Sequence, residues 1–259
     1  LRQLNLIYLT DLVRFRIQKF KNKDANKVFK QEHPNVNLPP DYLMYESFGI
    51  NYDNYYNGGL KMAQWLVDHF KKHIDLKDKT ILDWGCGPGR IIRHMPDVIG
   101  NNCQFFGTDY NAESIKWCSE HLPGIAFNKN NLKAELPYSD HSMDVIYGIS
   151  IFTHLSEEMH YAWFKELYRV LKPQGIMLLS LQGDNYKPKL TASELARYNE
   201  GQLVVRGKVK EGHRTYSAFH PKSFVEDLFK DADILEHIVQ TSTNKHWVPQ
   251  DIWIVRKPE

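Results

Sequence analysis

Between Ile81 and Arg90 the chain reads ILDWGCGPGR: an apolar run meets an acid, Asp83, and then three glycines at alternate positions, Gly85, Gly87 and Gly89. Glycine weakens strands and helices, so this cluster calls for a sharp turn at which something approaches the backbone. A second acid, Asp109, closes the next apolar run, CQFFGTD. Farther along, His154 follows the apolar stretch MDVIYGIS, and His213, Tyr216 and His220 gather in GHRTYSAFH.

A glycine turn between a strand and a helix suits a polar or anionic ligand at the helix N-terminus. Dinucleotide enzymes prefer the spacing G-x-G-x-x-G. Here the spacing is G-x-G-x-G, and the Asp83 carboxylate would repel a pyrophosphate. It would pair with an ammonium group, and Asp109 would accept both hydroxyls of a ribose. The two acids and the turn therefore favour S-adenosylmethionine, which carries an ammonium and a sulfonium but no phosphate, over NAD. The imidazole of His154 could take a proton from an attacking hydroxyl near neutral pH. The alternative is a histidine that only hydrogen-bonds backbone or substrate. His213, Tyr216 and His220 are candidates for the acceptor pocket.

These residues need elements to hold them. TILDWG, CQFFGTD, IAF, MDVIYGIS and IMLLSLQG read as short strands, most of them continuous apolar runs. GRIIRHM opens a helix, AESIKWCSEHL is a helix stopped by Pro123-Gly124, and a further helix starts after Ser156, a cap residue, with Glu157 and Glu158 in its first turn. Alternation of strand and helix with buried strands predicts a doubly wound, mostly parallel α/β sheet. Residues 183–219 interrupt the alternation with a helix, TASELARYNE, and a hairpin. PKSFVEDLF then reads as a helix, and DILEHIVQT and DIWIVRK as closing strands. The N-terminal part, residues 1–57, reads as a basic helix followed by a Pro- and Tyr-rich wrapping arm, and residues 58–259 as the domain proper.

At 259 residues, 42% hydrophobic and 25% charged, with a net charge of +2, the chain fits one generous globular domain. That charge speaks neither for nor against nucleic acid. Three cysteines in no metal-binding spacing suit a reducing cytoplasm. Charge concentrates at the start: residues 1–30 hold eight Lys/Arg against Asp11 and Asp24, with Leu6, Leu9, Val13, Ile17 and Phe20 at helical spacing. The plain expectation is an apolar face packed on its own domain or on a second copy in a homodimer. The sharper one is a peripheral contact with a membrane surface or partner.

ILDWGCGPGR, FFGTDYNAESIKWC, LPYSDHSMDVIYGISIFTHL and LYRVLKPQGIMLLS closely resemble, in order from Thr80 to Gln182, the successive motifs of class I S-adenosylmethionine-dependent methyltransferases. The flanks PPDYLMYESFGINYDNYYNGG and QDIWIVRKP look, more loosely, like a bacterial subgroup found among glycan-biosynthesis enzymes. The resemblance implies a Rossmann-like, seven-stranded sheet with an N-terminal helical arm and an insertion after the fifth strand, acting as lid or acceptor wall. It implies that Gly85, Cys86, Gly87 and Gly89 pass under the cofactor, with Asp83 on its ammonium side and Asp109 on the ribose. It sets Tyr110 against the adenine, Asn131 and Leu132 at the adenine edge, and Gly148 and Ile149 beside the methionine part, while Tyr52 and Tyr56 close over from the arm. The expected reaction is methyl transfer to a small-molecule or glycan acceptor, a sugar hydroxyl by preference, leaving S-adenosylhomocysteine, with no metal and no nucleic-acid partner. The alternatives are N- or carboxyl-methylation of another small molecule, or a cofactor-binding module without catalysis.

Overall fold

The computed structural model describes residues 7–100, 102–242 and 247–259; Leu6 of the apolar stripe lies outside them. Seven strands form a mostly parallel sheet. They are β1 (Thr80–Trp84), β2 (Gln104–Asp109), β3 (Ile125–Lys129), β4 (Met143–Gly148), β5 (Leu171–Leu181), β8 (Asp233–Ile238) and β9 (Asp251–Arg256). Their order is β3-β2-β1-β4-β5-β9-β8, with β9 antiparallel to both of its neighbours. The expected doubly wound α/β sheet is therefore present. The remaining strands, β6 (Val204–Arg206) and β7 (Ser217–Phe219), make the expected hairpin within the insertion.

The chain divides into two compact units, residues 1–78 with 86–129, and residues 79–85 with 130–259. The first contains α1 (Ile7–Lys21), α2 (Lys23–Glu32), α3 (Asp41–Ser47), α4 (Tyr52–Phe70), α5 (Met95–Ile99) and α6 (Ala112–His121). α4 begins at Tyr52, within the stretch expected to be irregular, because the Asn51 side chain accepts the Asn54 N–H and so caps it. GRIIRHM becomes a 3-10 turn at 92–94 followed by the short α5, whose second residue is Pro96. Phe29, Met44, Tyr45, Ile50, Tyr52 and Tyr55 form this unit's aromatic core.

α1 shows two opposite faces. Asp11 is buried and accepts the Tyr45 hydroxyl at 2.8 Å, and Phe15 packs edge-on against Tyr42. On the other side Leu9, Val13, Ile17 and Phe20 are 47–80% exposed. The apolar stripe is thus largely uncovered by its own chain, contrary to packing on its own domain; the other arm of that expectation, a second copy, stands as a proposal. Aromatic contacts hold the side of the helix bearing Asp11 and Phe15 instead.

The second unit carries β1, β4, β5, β9 and β8 with α7 (Glu157–Val170), α8 (Ala192–Asn199) and α9 (Lys222–Leu228). Glu157 and Glu158 lie in the first turn of α7 as expected, but the Ser156 side chain makes no capping bond; the Ser156 N–H donates to Glu211 instead. α8 has a full capping box between Thr191 and Glu194. β5 starts at Leu171, earlier than the apolar run suggests. Its partner in register jumps from Met143↔Leu171 to Val145↔Ile176, so residues 172–175 form a bulge that absorbs Pro173 and Gly175. Asp144 anchors this bulge by accepting Lys172 Nζ at 2.6 Å and the Thr80 N–H at 2.9 Å, a structural role.

Candidate cofactor and acceptor site

The glycine turn earns its glycines from backbone geometry. Gly85, Gly87 and Gly89 have φ of 79°, 52° and 77°, the left-handed region that side chains disfavour. A Cβ at Gly85 would lie 2.0 Å from Ile151 Cδ1, and one at Gly89 would lie 2.5 Å from Leu122 Cδ1. A Cβ at Gly87 would come within 3.1 Å of Ser47 Cβ. The chain's own neighbours thus fill the space that a side chain at each glycine would need. Cys86 is buried and in no disulfide; its thiol donates to the Gly87 carbonyl at 3.4 Å and its N–H to the Thr108 carbonyl at 3.0 Å.

In the first unit, Asp109 ends β2 and braces the turn. Its Oδ2 accepts the Gly87 N–H at 2.9 Å and its Oδ1 the Asn111 N–H at 2.8 Å. Burial pushes its carboxyl above the ordinary range. A carboxylate has about four lone-pair sites, and the Gly87, Asn111 and Tyr110 N–H groups address three, so about one further donor such as a ribose hydroxyl can still be accepted. Tyr110 is partly exposed beside it, its phenol raised to about 12, chiefly by burial. The Tyr52 hydroxyl is committed to Asp41 at 2.7 Å, and Tyr56 stacks edge-on with Phe29 and His94. Tyr55, which the sequence reading passed over, reaches the turn: it is fully buried and donates to the Pro88 carbonyl at 3.0 Å. Alternation within YDNYYN gave no sign of which tyrosine faces the turn.

In the second unit, Asp83 is buried in β1 and accepts the Tyr147 hydroxyl at 2.8 Å. Gly148 ends β4 under Trp84, whose Cε3 would stand 2.7 Å from an added Cβ, and Ile149 follows it, half-buried. Asn131 is exposed, and the Leu132 carbonyl accepts Trp163 Nε1 at 3.1 Å. Its neighbour Asn130 is the buried amide, donating to the Asn131 carbonyl at 2.7 Å.

His154 sits in a 3-10 turn, 152–154, after β4. Its Nδ1 donates to the Tyr216 carbonyl at 2.8 Å. A carbonyl only accepts, so in the neutral ring the proton lies on Nδ1 and Nε2 keeps its lone pair. Burial holds the imidazole below its ordinary pKa. The insertion wraps this turn: the Gly212 N–H donates to the His154 carbonyl at 2.9 Å. His213 and Tyr216 are therefore brought to His154, with His213 Nδ1 paired to Thr215 Oγ1 at 2.8 Å. His220 lies apart from that wrap, its Nε2 2.9 Å from His160 Nε2. The turn leaves β4 through Ser150, whose φ of 68° is unusual for a residue with a side chain. Its N–H donates to Ser180 Oγ at 2.7 Å and its hydroxyl accepts from Gln250, so two distant residues hold the strain. Neither Ser180 nor Gln250 carries a sequence signal for that task.

Residues 81–175 match the family model described as a methyltransferase domain. A probable S-adenosylmethionine-dependent methyltransferase of Mycolicibacterium smegmatis is 30% identical over 102 residues, covering 39% of this chain and 37% of the relative. A tRNA N(3)-cytidine methyltransferase of Danio rerio is 25% identical over 192 residues, 67% of this chain and 52% of the relative. The chain thus spans about half or less of the length of these curated relatives. Among solved structures, the PH0226 protein of Pyrococcus horikoshii superposes with a TM-score of 0.58 at 18% identity, over 89% of this chain and all of that one, a likeness of fold. Residues 81–175 thus match a methyltransferase domain, and the strand order is that of the doubly wound sheet the sequence led us to expect.

Proposed function

We propose that the whole chain transfers a methyl group from S-adenosylmethionine to a hydroxyl of a small molecule or glycan, a sugar hydroxyl by preference. The cofactor supplies a methyl group already activated on a sulfonium and leaves as S-adenosylhomocysteine. The residues fit that ligand's chemistry. Asp109 retains acceptor capacity for a ribose hydroxyl, and Asp83 offers a carboxylate to the ammonium side. Gly85, Cys86, Gly87 and Gly89 are assigned to the floor, Tyr110, Asn131 and Leu132 to the adenine, and Gly148 and Ile149 to the methionine part. The chain's own task is then to align the acceptor, exclude water and take its proton.

The observation that carries the hydroxyl reading is the tautomer of His154. A hydroxyl is a very weak acid and needs a base as it attacks, whereas a neutral amine needs less help. An imidazole whose Nδ1–H is fixed on the Tyr216 carbonyl presents Nε2 as that base. His154→Ala should lower kcat for a hydroxyl acceptor by about 10²–10⁴-fold and leave S-adenosylmethionine affinity nearly unchanged. An acceptor panel of sugars, amines, carboxylic acids and tRNA, scored by S-adenosylhomocysteine release, tests the class. The tRNA arm is included because one relative acts on that substrate. Turnover only with amines or tRNA, or a variant that keeps the parent kcat on a sugar, would sink the reading. Binding without turnover on any acceptor would favour a non-catalytic module.

The exposed stripe of α1, beside the basic residues of 1–30, supports a peripheral contact with an anionic membrane as part of the same reading, since a lipid-linked glycan would be met there.

A further inference from the structure

A ribose presents two vicinal hydroxyls, and the Asp109 carboxylate, addressed by three N–H groups, has room for about one of them. The other needs a second acceptor, and the N-terminal arm brings a carboxylate to that place.

α3 is held against α6 by its apolar side, where Leu43 clusters with Trp117, Cys118 and Leu122. Glu46, one turn farther along α3, shares that face and so reaches the start of α6. Its Oε2 accepts Asn111 Nδ2 at 3.5 Å. The Asn111 amide is oriented for this, because its Oδ1 caps α6 by accepting the Glu113 and Ser114 N–H groups at 3.0 and 3.1 Å. The Asn111 N–H meanwhile donates to Asp109 Oδ1 at 2.8 Å. One residue thus links two carboxylates, through its backbone to Asp109 and through its side chain to Glu46. All of these groups lie in the first unit.

The residues after Glu46 follow the glycine turn. Ser47 Cβ lies 3.1 Å from where a Gly87 Cβ would stand, and the Arg90 guanidinium lies 4.2 Å over the Phe48 ring. Glu46 itself is half-buried, so solvent and ligand can reach it. Burial is the chief cause that raises the Asp109 carboxyl and the Tyr110 phenol, and the Glu46 charge adds to both.

The local structure does not call for an acid at this position. A glutamine oxygen would accept the Asn111 amide equally well, and a second negative charge beside a buried acid is unfavourable unless donors offset it. Asn111 Nδ2 and the Tyr42 hydroxyl address two of the roughly four lone-pair sites on Glu46, which leaves capacity for a ligand hydroxyl.

We propose that Glu46 is a cofactor-binding residue, accepting one ribose hydroxyl of S-adenosylmethionine while Asp109 accepts the other. The inference deepens the cofactor part of the proposed function and rests on it. It moves the arm's contribution to the cofactor from Tyr52 and Tyr56, which are engaged with Asp41, Phe29 and His94, to α3.

Calorimetry on the full chain with S-adenosylhomocysteine and its 2′-deoxy and 3′-deoxy analogues tests it. In the parent each analogue should bind about tenfold or more weaker than S-adenosylhomocysteine, the scale of one hydrogen bond to a charged group. In Glu46→Ala the gap for one analogue should close to within about twofold, while the gap for the other persists. Glu46→Gln keeps the shape and the Asn111 contact, and serves should the alanine variant not fold. Because a neutral acceptor is weaker than a charged one, it should narrow the same gap about threefold or more. A charge effect on the cofactor's ammonium would weaken all three ligands alike and leave both gaps in place, as would a bracing role for α3. Both gaps unchanged in the variants would therefore overturn the inference and leave the cofactor reading intact, as would a parent that binds all three ligands equally. Closure of both gaps at once would overturn the division between the two acids. A parent that binds none of the three would end the cofactor reading, and this inference with it.

Discussion

At the scale of single residues, side chains with a visible structural task are also the ones proposed to meet the ligand. Asp109 holds the glycine turn through the Gly87 N–H, so its two roles need separating. Asp109→Asn replaces one acceptor oxygen with an amide donor while preserving shape. It should weaken S-adenosylhomocysteine binding by about 1.5–3 kcal/mol in calorimetry, the scale of hydrogen bonds to a charged group. Parent-like affinity would remove Asp109 from the ribose. Gly85 allows a sharper test of backbone against contact. Gly85→Ala meets both the left-handed φ of 79° and the Ile151 Cδ1 collision. Adding Ile151→Ala should recover part of the lost thermal stability, leaving about 1–2 kcal/mol for the backbone. Full recovery would show that packing alone demanded the glycine. For His154, burial lowers the imidazole pKa, and the proposed base role uses the neutral ring. The acid limb of kcat against pH should therefore lie below the ordinary value of about 6.5, and His154→Ala should lose it. The sequence made the acids, the glycines and His154 legible because their types are costly without a reason. Tyr55, Ser150 and Gln250 were not legible, because what they do is set by which backbone group they meet.

At the scale of elements, strands were read well where they are continuous apolar runs, as in β1, β2 and β4. The start of β5 was hidden, because Lys172–Gly175 has the composition of a break and becomes a bulge only through β4 and Asp144. The helix after Ser156 was placed rightly for a partly mistaken reason: Glu157 and Glu158 favour its N-terminus, but Ser156 donates its N–H to Glu211 in a distant loop and its side chain caps nothing. α1 shows what periodicity leaves open. Helical spacing predicted an apolar face but not that Asp11 and Phe15, on the opposite side, would do the docking. The outward residues, with Arg14, Arg16, Lys19 and Lys21 on the same helix, have the composition of an interfacial helix. The chain should pellet with anionic vesicles at low salt and not with zwitterionic ones. Phe20→Glu, at an 80% exposed position, should abolish pelleting without lowering thermal stability. Absence of pelleting at low salt would leave the stripe to a protein partner.

At the scale of the whole molecule, the buried histidines set an acid boundary. Burial lowers His94 and His160 to about 4 each. The unfolded chain binds protons on both below about pH 6.5, while the native chain stays neutral there. Stability should therefore be full above pH 6.5, fall as pH drops from 6.5 towards 4, and level off below that, where the native state is also protonated. The slope is on the order of 1.4 kcal/mol per pH unit for each group. Urea midpoints at pH 7, 5.5 and 4.5 check it. His160→Gln should flatten the dependence, and an unchanged slope would discharge His160 from the account.

The bond from Tyr55 to the Pro88 carbonyl bears on how this protein can be dissected. Similarity to the methyltransferase domain begins at residue 81, and a fragment cut there would look complete by alignment. It would nonetheless lack the phenol that holds the glycine turn from 26 residues upstream of that cut, and Ser47, which packs against Gly87. For cloning, proteolysis or domain grafting, the working boundary of the glycine turn is drawn by a hydrogen bond from α4, well outside the recognisable motif.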